Sequence, residues 1–248
     1  MTIVIMFHLS RYRTFKDYYH RQVLRSYRSY FPHLVSYNRF VELMQACSVP
    51  LALFMSRHKV KQSQGVAFID STALAVCANP RIYQHQVFAG RAQRGKTSTG
   101  WFFGFKLHLI INHQGEIISF CLTTGNTDDR KPVELLTKNL WGRLFADKGY
   151  ISHSLKERLK DKGVDLITKL RKNMEQPFRP LFDQLMLRKR ALIESVNDFL
   201  KNTCQIQHTR HRSKNNWLVN LLSGLVAYSF LPQKPKLKFT QQQAKLIA

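Results

Sequence analysis

Three acids in this chain of 248 residues stand among apolar neighbours. Asp70 follows Val66-Ala-Phe-Ile, Asp147 follows Leu144-Phe-Ala, and Glu194 follows Leu192-Ile on a helical stretch that continues to Val196. Only 15 residues are Asp or Glu, so each acid can be weighed separately, and the others read as solvated or helix-opening residues. A carboxylate in apolar surroundings is costly unless something offsets its charge. A cap, a cationic side chain or a metal would do so. Hard divalent cations take carboxylate oxygens. Two such ions can activate an attacking oxygen and stabilise a leaving one in phosphoryl transfer. Two strand-end aspartates and one helix glutamate therefore make a candidate magnesium site. Each acid also has a plainer reading: Asp70 and Asp147 cap loops, and Glu194 pairs with Arg190 one helical turn away.

The elements that would position these acids follow from periodicity. Residues 1 to about 60 read as helical, with Phe15, Tyr18, Tyr19, Val23, Tyr27 and Tyr30 at helix-like spacings and basic residues between them. These tyrosines suit either phosphate contact or an ordinary core. A second helix should start near Ser36 and end before Pro50. Val66–Asp70 reads as a strand ending at the acid, residues 78–100 as a polar loop or irregular hairpin, and 101–125 as a hairpin around His113-Gln-Gly-Glu. Asp128 should open a helix, a short strand should end near Asp147, and Ser152 should cap a basic helix stopped by Gly163. Asp165–Leu170 reads as a further strand, a long helix should run from Pro180 to about Asn202, and another should follow from Trp217. Strands followed by alternating helices imply an α/β (α+β) chain with a mixed sheet flanked by helices.

Charge bounds the partner. Lys plus Arg number 39, and the formal net charge is +24. The basic residues are spread from Arg11 to Lys245, which favours a folded basic surface and a polyanion such as nucleic acid. The four cysteines form no CxxC pair, which argues against a zinc knuckle or a disulfide framework and for a reducing compartment. The longest apolar run, from Trp217, is too short to span a bilayer comfortably, and no signal peptide is recognisable. No membrane partner is expected.

Several stretches, in this order, resemble bacterial insertion-sequence transposases of the DDE type. They are F-I-D-S-T at 68–72, G-K-T-S-T-G-W-F-F-G-F-K-L-H at 95–108 and T-T-G-N-T-D-D-R-K-P at 123–132. They continue with L-F-A-D-K-G-Y-I-S at 144–152, L-I-T-K-L-R-K-N-M at 166–174 and L-R-K-R-A-L-I-E at 187–194. The resemblance implies an RNase H-like catalytic domain, preceded by a helical segment that binds DNA ends. It implies that Asp70, Asp147 and Glu194 hold two Mg²⁺ ions, with Mn²⁺ as a substitute. Relatives carry Y-x2-R-x3-E-x6-K around the glutamate. Arg190, Glu194 and Lys201 keep those intervals, while Leu187 stands at the tyrosine position. A role in contacting DNA follows for Arg190 and Lys201, and for Lys96, Lys106, Arg130 and Lys148 in the quoted stretches.

On this resemblance, residues 1–62 form a DNA-binding segment shortened at its start, 63–232 the catalytic domain, and 233–248 a basic flexible tail. The expected function is metal-dependent cleavage and strand transfer of an insertion sequence. The partners would be terminal inverted repeats, target DNA and a second copy of the chain, in the cytoplasm at the nucleoid. The alternative is a truncated, non-catalytic remnant that binds DNA as a repressor or competitor. A third reading, a structure-specific RNase H-like nuclease, fits the helical N-terminal region less well.

Overall fold

A computed structural model describes residues 1–57, 65–171, 173–174, 178–209 and 211–238. The expected boundary at 62/63 and residues 239–248 of the expected tail lie outside the described residues. So does Lys172, within the quoted 166–174 stretch.

Five short helices come first: α1 (Thr2–Phe7), α2 (Phe15–Tyr18), α3 (Leu24–Ser26), α4 (Tyr37–Met44) and α5 (Ser48–Arg57). The sheet-forming region follows with β1 (Val66–Cys77), β2 (Gln93–Thr97), β3 (Gly100–Asn112) and β4 (Ile117–Thr124). Then come α6 (Val133–Leu136), β5 (Gly142–Ala146), α7 (His153–Lys160) and β6 (Val164–Thr168). The chain continues through α8 (Leu181–Lys189), α9 (Ala191–Asp198) and α10 (Lys214–Ser229). It divides into two compact units, one of Met1–His58, Ala75–Ala92 and Asp198–Pro232, the other of Lys59–Leu74, Gln93–Asn197 and Gln233–Ala248.

In the first unit the aromatic periodicity builds a core. Tyr18, Tyr19 and Val23 are fully buried, and Phe7, Phe15 and Phe40 pack ring against ring with the two tyrosines. Arg13, Lys16, Arg21, Arg25 and Arg28 between them remain exposed. Tyr30 is also exposed. Ser36 caps α4 by accepting from the Arg39 amide. α4 ends before Pro50 as expected, but a 3₁₀ turn at Gln45–Cys47 leads straight into α5, which contains Pro50. The proline falls in the first turn of α5, where the N–H that proline lacks has no intrahelical partner to lose. His8 fastens the region after α1 to α10. Its ring meets the Cys204 carbonyl through Nδ1 and the Ser223 hydroxyl through Nε2. Burial holds His8 neutral, with its pKa lowered to about 4.

In the second unit a six-stranded mixed sheet runs β2-β3-β1-β5-β6, with β4 also on β3. The pairs β1–β5 and β5–β6 are parallel, whereas β2 and β4 are antiparallel to β3. This is the mixed sheet flanked by helices expected of an RNase H-like domain. The strand parities assign the faces. Ala67, Ile69, Leu144 and Ala146 face a cluster that includes Val133 and Leu136 of α6 and Leu155 and Leu159 of α7. Phe68 and Phe145 face the other way, 5.7 Å apart between ring centroids, with Phe182 of α8 against Phe145.

Four local expectations are corrected. β1 does not stop at Asp70 but runs on to Cys77, because Leu74, Val76 and Cys77 supply further buried positions. The polar stretch 78–100 contains a regular strand, β2, paired residue for residue with the start of β3. Asp128 opens an Asx turn, accepting from the Arg130 amide, and the helix waits until Val133. The long helix after Pro180 is interrupted at Arg190 and becomes π-helical over Phe199–Thr203. Two close approaches require glycine. A Cβ on Gly95 would lie 2.1 Å from the Gly125 carbonyl oxygen, and one on Gly125 would lie 2.5 Å from that of Gln93. β2 and the chain leaving β4 therefore meet along the same part of the sheet.

Candidate active site

The sheet register places the first two acids. Phe68 pairs with Phe145 across the parallel β1–β5 ladder, and Asp70 and Asp147 each lie two residues further on. Side chains alternate faces along a strand, so both acids project from the face that Phe68 and Phe145 occupy. Neighbouring strands lie about 4.8 Å apart, which makes the two aspartates side-by-side neighbours. Asp147 sits one residue beyond β5, at the start of the 3₁₀ turn Lys148–Tyr150.

The third acid arrives from the helices on that face. Arg190, between α8 and α9, is buried, with its side chain 8% exposed. Its Nη2 donates to Glu194 Oε1 at 2.5 Å, and its Nη1 lies 3.7 Å from Asp70 Oδ1. One guanidinium thus bridges a strand acid and a helix acid. The ion pair between Arg190 and Glu194 expected of helix spacing is present. Glu194 remains half-exposed, at 57% for its side chain. Asn197, buried one turn after Glu194, donates Nδ2–H to Asp70 Oδ2 at 3.2 Å.

These contacts answer what offsets Asp70: a buried cation, an amide donor and the Ser71 backbone N–H. They do not offset it fully. Desolvation is the largest influence and raises the carboxyl from its ordinary range to about 6. Arg190 and the Ser71 N–H pull it down, and the negative charges of Glu194 and Asp147 push it up. Tyr150, buried beneath the site, is held well above the ordinary phenol range by desolvation and by the charge of Asp70.

The donor chemistry fits a divalent cation. The facing groups are carboxylate oxygens with no histidine or cysteine among them. A hard cation would favour the ionised form of Asp70, which burial and, to a smaller extent, the neighbouring acids disfavour. As the side chains stand, no three acids, histidines or cysteines among the described residues lie close enough together to hold a metal ion. Glu194 is turned to Arg190.

The remaining candidates fall in different settings. Lys106 is mostly buried, donating to the Thr127 carbonyl and to Asp129 Oδ1, both at 2.9 Å. Arg130 makes a two-pronged contact with Asp128 at the surface, at 2.9 and 2.5 Å. This holds the Asp128 carboxyl down at about 2. Lys96 and Lys148 are exposed. Lys201 belongs to the first unit, on the π-helical stretch, where it lines a pocket with Arg13, Asn202 and His208. The helical count that would put it on one face with Arg190 and Glu194 does not run unbroken, because a π turn adds a residue. Sequence reasoning missed Asn197. Its signal was available: it lies seven residues after Arg190 and three after Glu194, on one helical face.

Asp70 and Asp147, at neighbouring places on a mixed sheet, are thus faced by Arg190 and by Glu194 of α9. Residues 60–214 match the family described as the transposase DDE domain, and the chain belongs to that family. No curated protein matches the sequence. The fold is similar to that of the piggyBac transposase in a synaptic complex with hairpin DNA. That likeness has a TM-score of 0.50 at 12% identity and covers 99% of this chain and 67% of that one. Mos1 mariner transposase in a paired-end complex with Mn is similar over 79% of this chain and 62% of its own, at 12% identity and a TM-score of 0.29. The family is generally divalent-metal dependent.

Proposed function

We propose that this chain cleaves DNA at the ends of a mobile element and joins those ends to target DNA. The supporting observation is the register that sets Asp70 beside Asp147, with Glu194 brought to Asp70 through Arg190. Asp70, Asp147 and Glu194 would hold Mg²⁺, or Mn²⁺ in its place, and Glu194 would complete the set on release from Arg190. The bound metal supplies a Lewis acid that activates the attacking oxygen and stabilises the leaving one.

The chain's own residues position the rest. Asn197 fixes the orientation of the Asp70 carboxylate. Arg190 keeps the strand acid and the helix acid within one ion-pair network. Lys148, exposed beside Asp147, offers a cation to the phosphate being cut. In hydrolysis a water oxygen bonds to phosphorus, the bond from phosphorus to the 3′ oxygen breaks, and a proton passes from the water to the departing oxygen. In transfer the freed 3′-hydroxyl takes the place of water against a target phosphodiester. The chain's excess of 39 basic residues over 15 acids supplies the sequence-independent attraction for DNA. The reading includes the bacterial insertion-sequence source, a second copy of the chain in the DNA complex, and a nucleoid location in the cytoplasm.

The test is Mg²⁺-dependent nicking of a labelled duplex carrying the element end, run beside a gel shift. The parent chain should nick and Asp147→Asn should bind without nicking. A parent that binds the end and never nicks it would place the chain with the non-catalytic DNA-binding remnants instead.

A further inference from the structure

The β2–β3 hairpin carries chemistry that the acid site does not use. Its two strands pair from Gln93 with Gly104 to Thr97 with Gly100, closed by a two-residue turn at Ser98-Thr99. One face turns inward: Gly95 lies opposite the buried Phe102, at the close approach to Gly125. The other face carries Arg94, Lys96 and Trp101. Lys96 is the direct cross-strand partner of Trp101, and Arg94 lies on its diagonal.

Trp101 is 55% exposed, an unusual position for the largest apolar side chain. Both cations lie over its ring, Arg94 Cζ at 5.8 Å and Lys96 Nζ at 5.7 Å from the centroid. Charge selects the occupant. From Ser71 to Gly115 the sequence contains no Asp or Glu, so the two cations have no acid within the hairpin or the segments flanking it. A polyanion with flat, stackable groups satisfies both features at once. Indole accepts a base on its face, and the two cations meet the flanking phosphates.

We infer that the exposed face of the β2–β3 hairpin is a stacking platform for an unpaired DNA base, with Trp101 under the base and Arg94 and Lys96 on the adjoining phosphates. This rests on DNA being the substrate, as proposed above. It adds that the chain prefers DNA with unpaired bases over fully paired duplex. Aromatic stacking contributes of the order of tenfold per base and tolerates any base identity. The platform should therefore favour an unpaired segment largely irrespective of its sequence.

The test uses the full chain in EDTA, so that cleavage does not intrude. It measures binding to a fully paired duplex and to the same duplex with a short unpaired stretch. The parent should bind the second about tenfold more tightly. Trp101→Ala should lose that preference while its affinity for paired duplex stays within about twofold, and Trp101→Phe should keep most of it. Thermal melting of each variant shows whether the hairpin substitution has unfolded the chain. If Trp101→Ala unfolds, the double variant R94Q/K96Q carries the test. It should weaken binding to the unpaired substrate more than to duplex, with a shallower salt dependence. Equal loss on both substrates would reduce the face to a backbone contact and overturn the platform. An unchanged preference in Trp101→Ala, or no preference in the parent, would overturn it as well. A change in the sedimentation of DNA-free chain on Trp101→Ala would mean that the face joins two copies, and would also overturn it. If the preference holds but Asp147→Asn nicks like the parent, the catalytic reading falls and the platform stands. A parent that binds no DNA ends both.

Discussion

Two regions of the same sheet treat charge in opposite ways. Around Asp70 the charges are drawn inward and opposed: a buried arginine faces two acids, and an amide donor serves the more buried of them. On the β2–β3 hairpin the cations are exposed and held over an aromatic ring, in a segment whose sequence contains no acid. The contrast separates two uses of electrostatics. Burial removes solvent screening, so a few charges fix geometry and alter one another's protonation. Exposure leaves each charge weak but available to a partner that brings its own counter-charge. The inward region suits chemistry on a phosphodiester and the outward one suits its capture.

The largest effects should come from the inward region. Asp147→Asn should lower the nicking rate by at least about 10³-fold while binding of the labelled end stays close to the parent value, since the loss falls on chemistry. Arg190→Ala should destabilise the chain by about 3 kcal/mol in chemical denaturation, because it leaves Asp70 without its buried counter-ion. A loss of under 0.5 kcal/mol would mean that the bridge carries no structural load, and the two regions would then not differ as described.

A pH dependence sharpens the same contrast. The Asp70 carboxyl is raised from 3.8 to about 6, so the folded chain holds its proton more tightly than the unfolded chain does. Asp70 therefore costs no stability below about pH 4. Its penalty grows as pH rises through 6 and then stays constant, at no more than about 3 kcal/mol. Asp70→Asn should accordingly raise the melting temperature in EDTA at pH 8 and leave it unchanged near pH 4, while abolishing nicking at both. A gain that is largest in acid would reverse the sign and remove desolvation as the cause. Salt should distinguish the outward region: the log of duplex affinity should fall by about 0.9 per log unit of salt for each phosphate contacted. K96Q should make the corresponding slope for DNA with an unpaired stretch shallower by about one contact, and change the duplex slope less.

Much of the inward region was legible in the sequence. The acids could be found because acids are scarce in this chain and because each follows an apolar run. The placement of Asp70 beside Asp147 follows from the β1–β5 register two residues before them, which depends on long-range contacts that periodicity does not carry. Strand length was misread for a physical reason. Ser71-Thr72 look like a strand exit, yet Leu74, Val76 and Cys77 beyond them are buried and the strand continues through them. Asn197 went unnoticed because an amide on a helix has many solvated uses, and only the approach of Asp70 gives this one its role. Residues 78–100 read as a polar loop or irregular hairpin, and β2 within them is a regular strand. Gln93-Arg-Gly-Lys-Thr97 contains only one residue that favours strands, and its order comes from pairing with the start of β3.

The smallest expected effect lies on surface ion pairs. Glu134 of α6 meets Arg158 at 2.7 Å and Lys162 at 3.1 Å, and these hydrogen bonds lower its carboxyl below the ordinary range. On a contact list it looks stronger than the bridge at Arg190, with two cations at shorter distances than the 3.7 Å to Asp70. Its setting is different. Water surrounds the carboxylate and screens it, and holding two long cationic side chains in place has an entropic cost. Glu134→Gln should therefore move the melting temperature by no more than the scatter between repeat scans, at low and at high salt. Nicking and duplex binding should be unchanged. If Glu134→Gln instead approached Arg190→Ala in effect, distance rather than burial would govern ion-pair strength in this chain. The division between an inward and an outward use of charge would then have no basis.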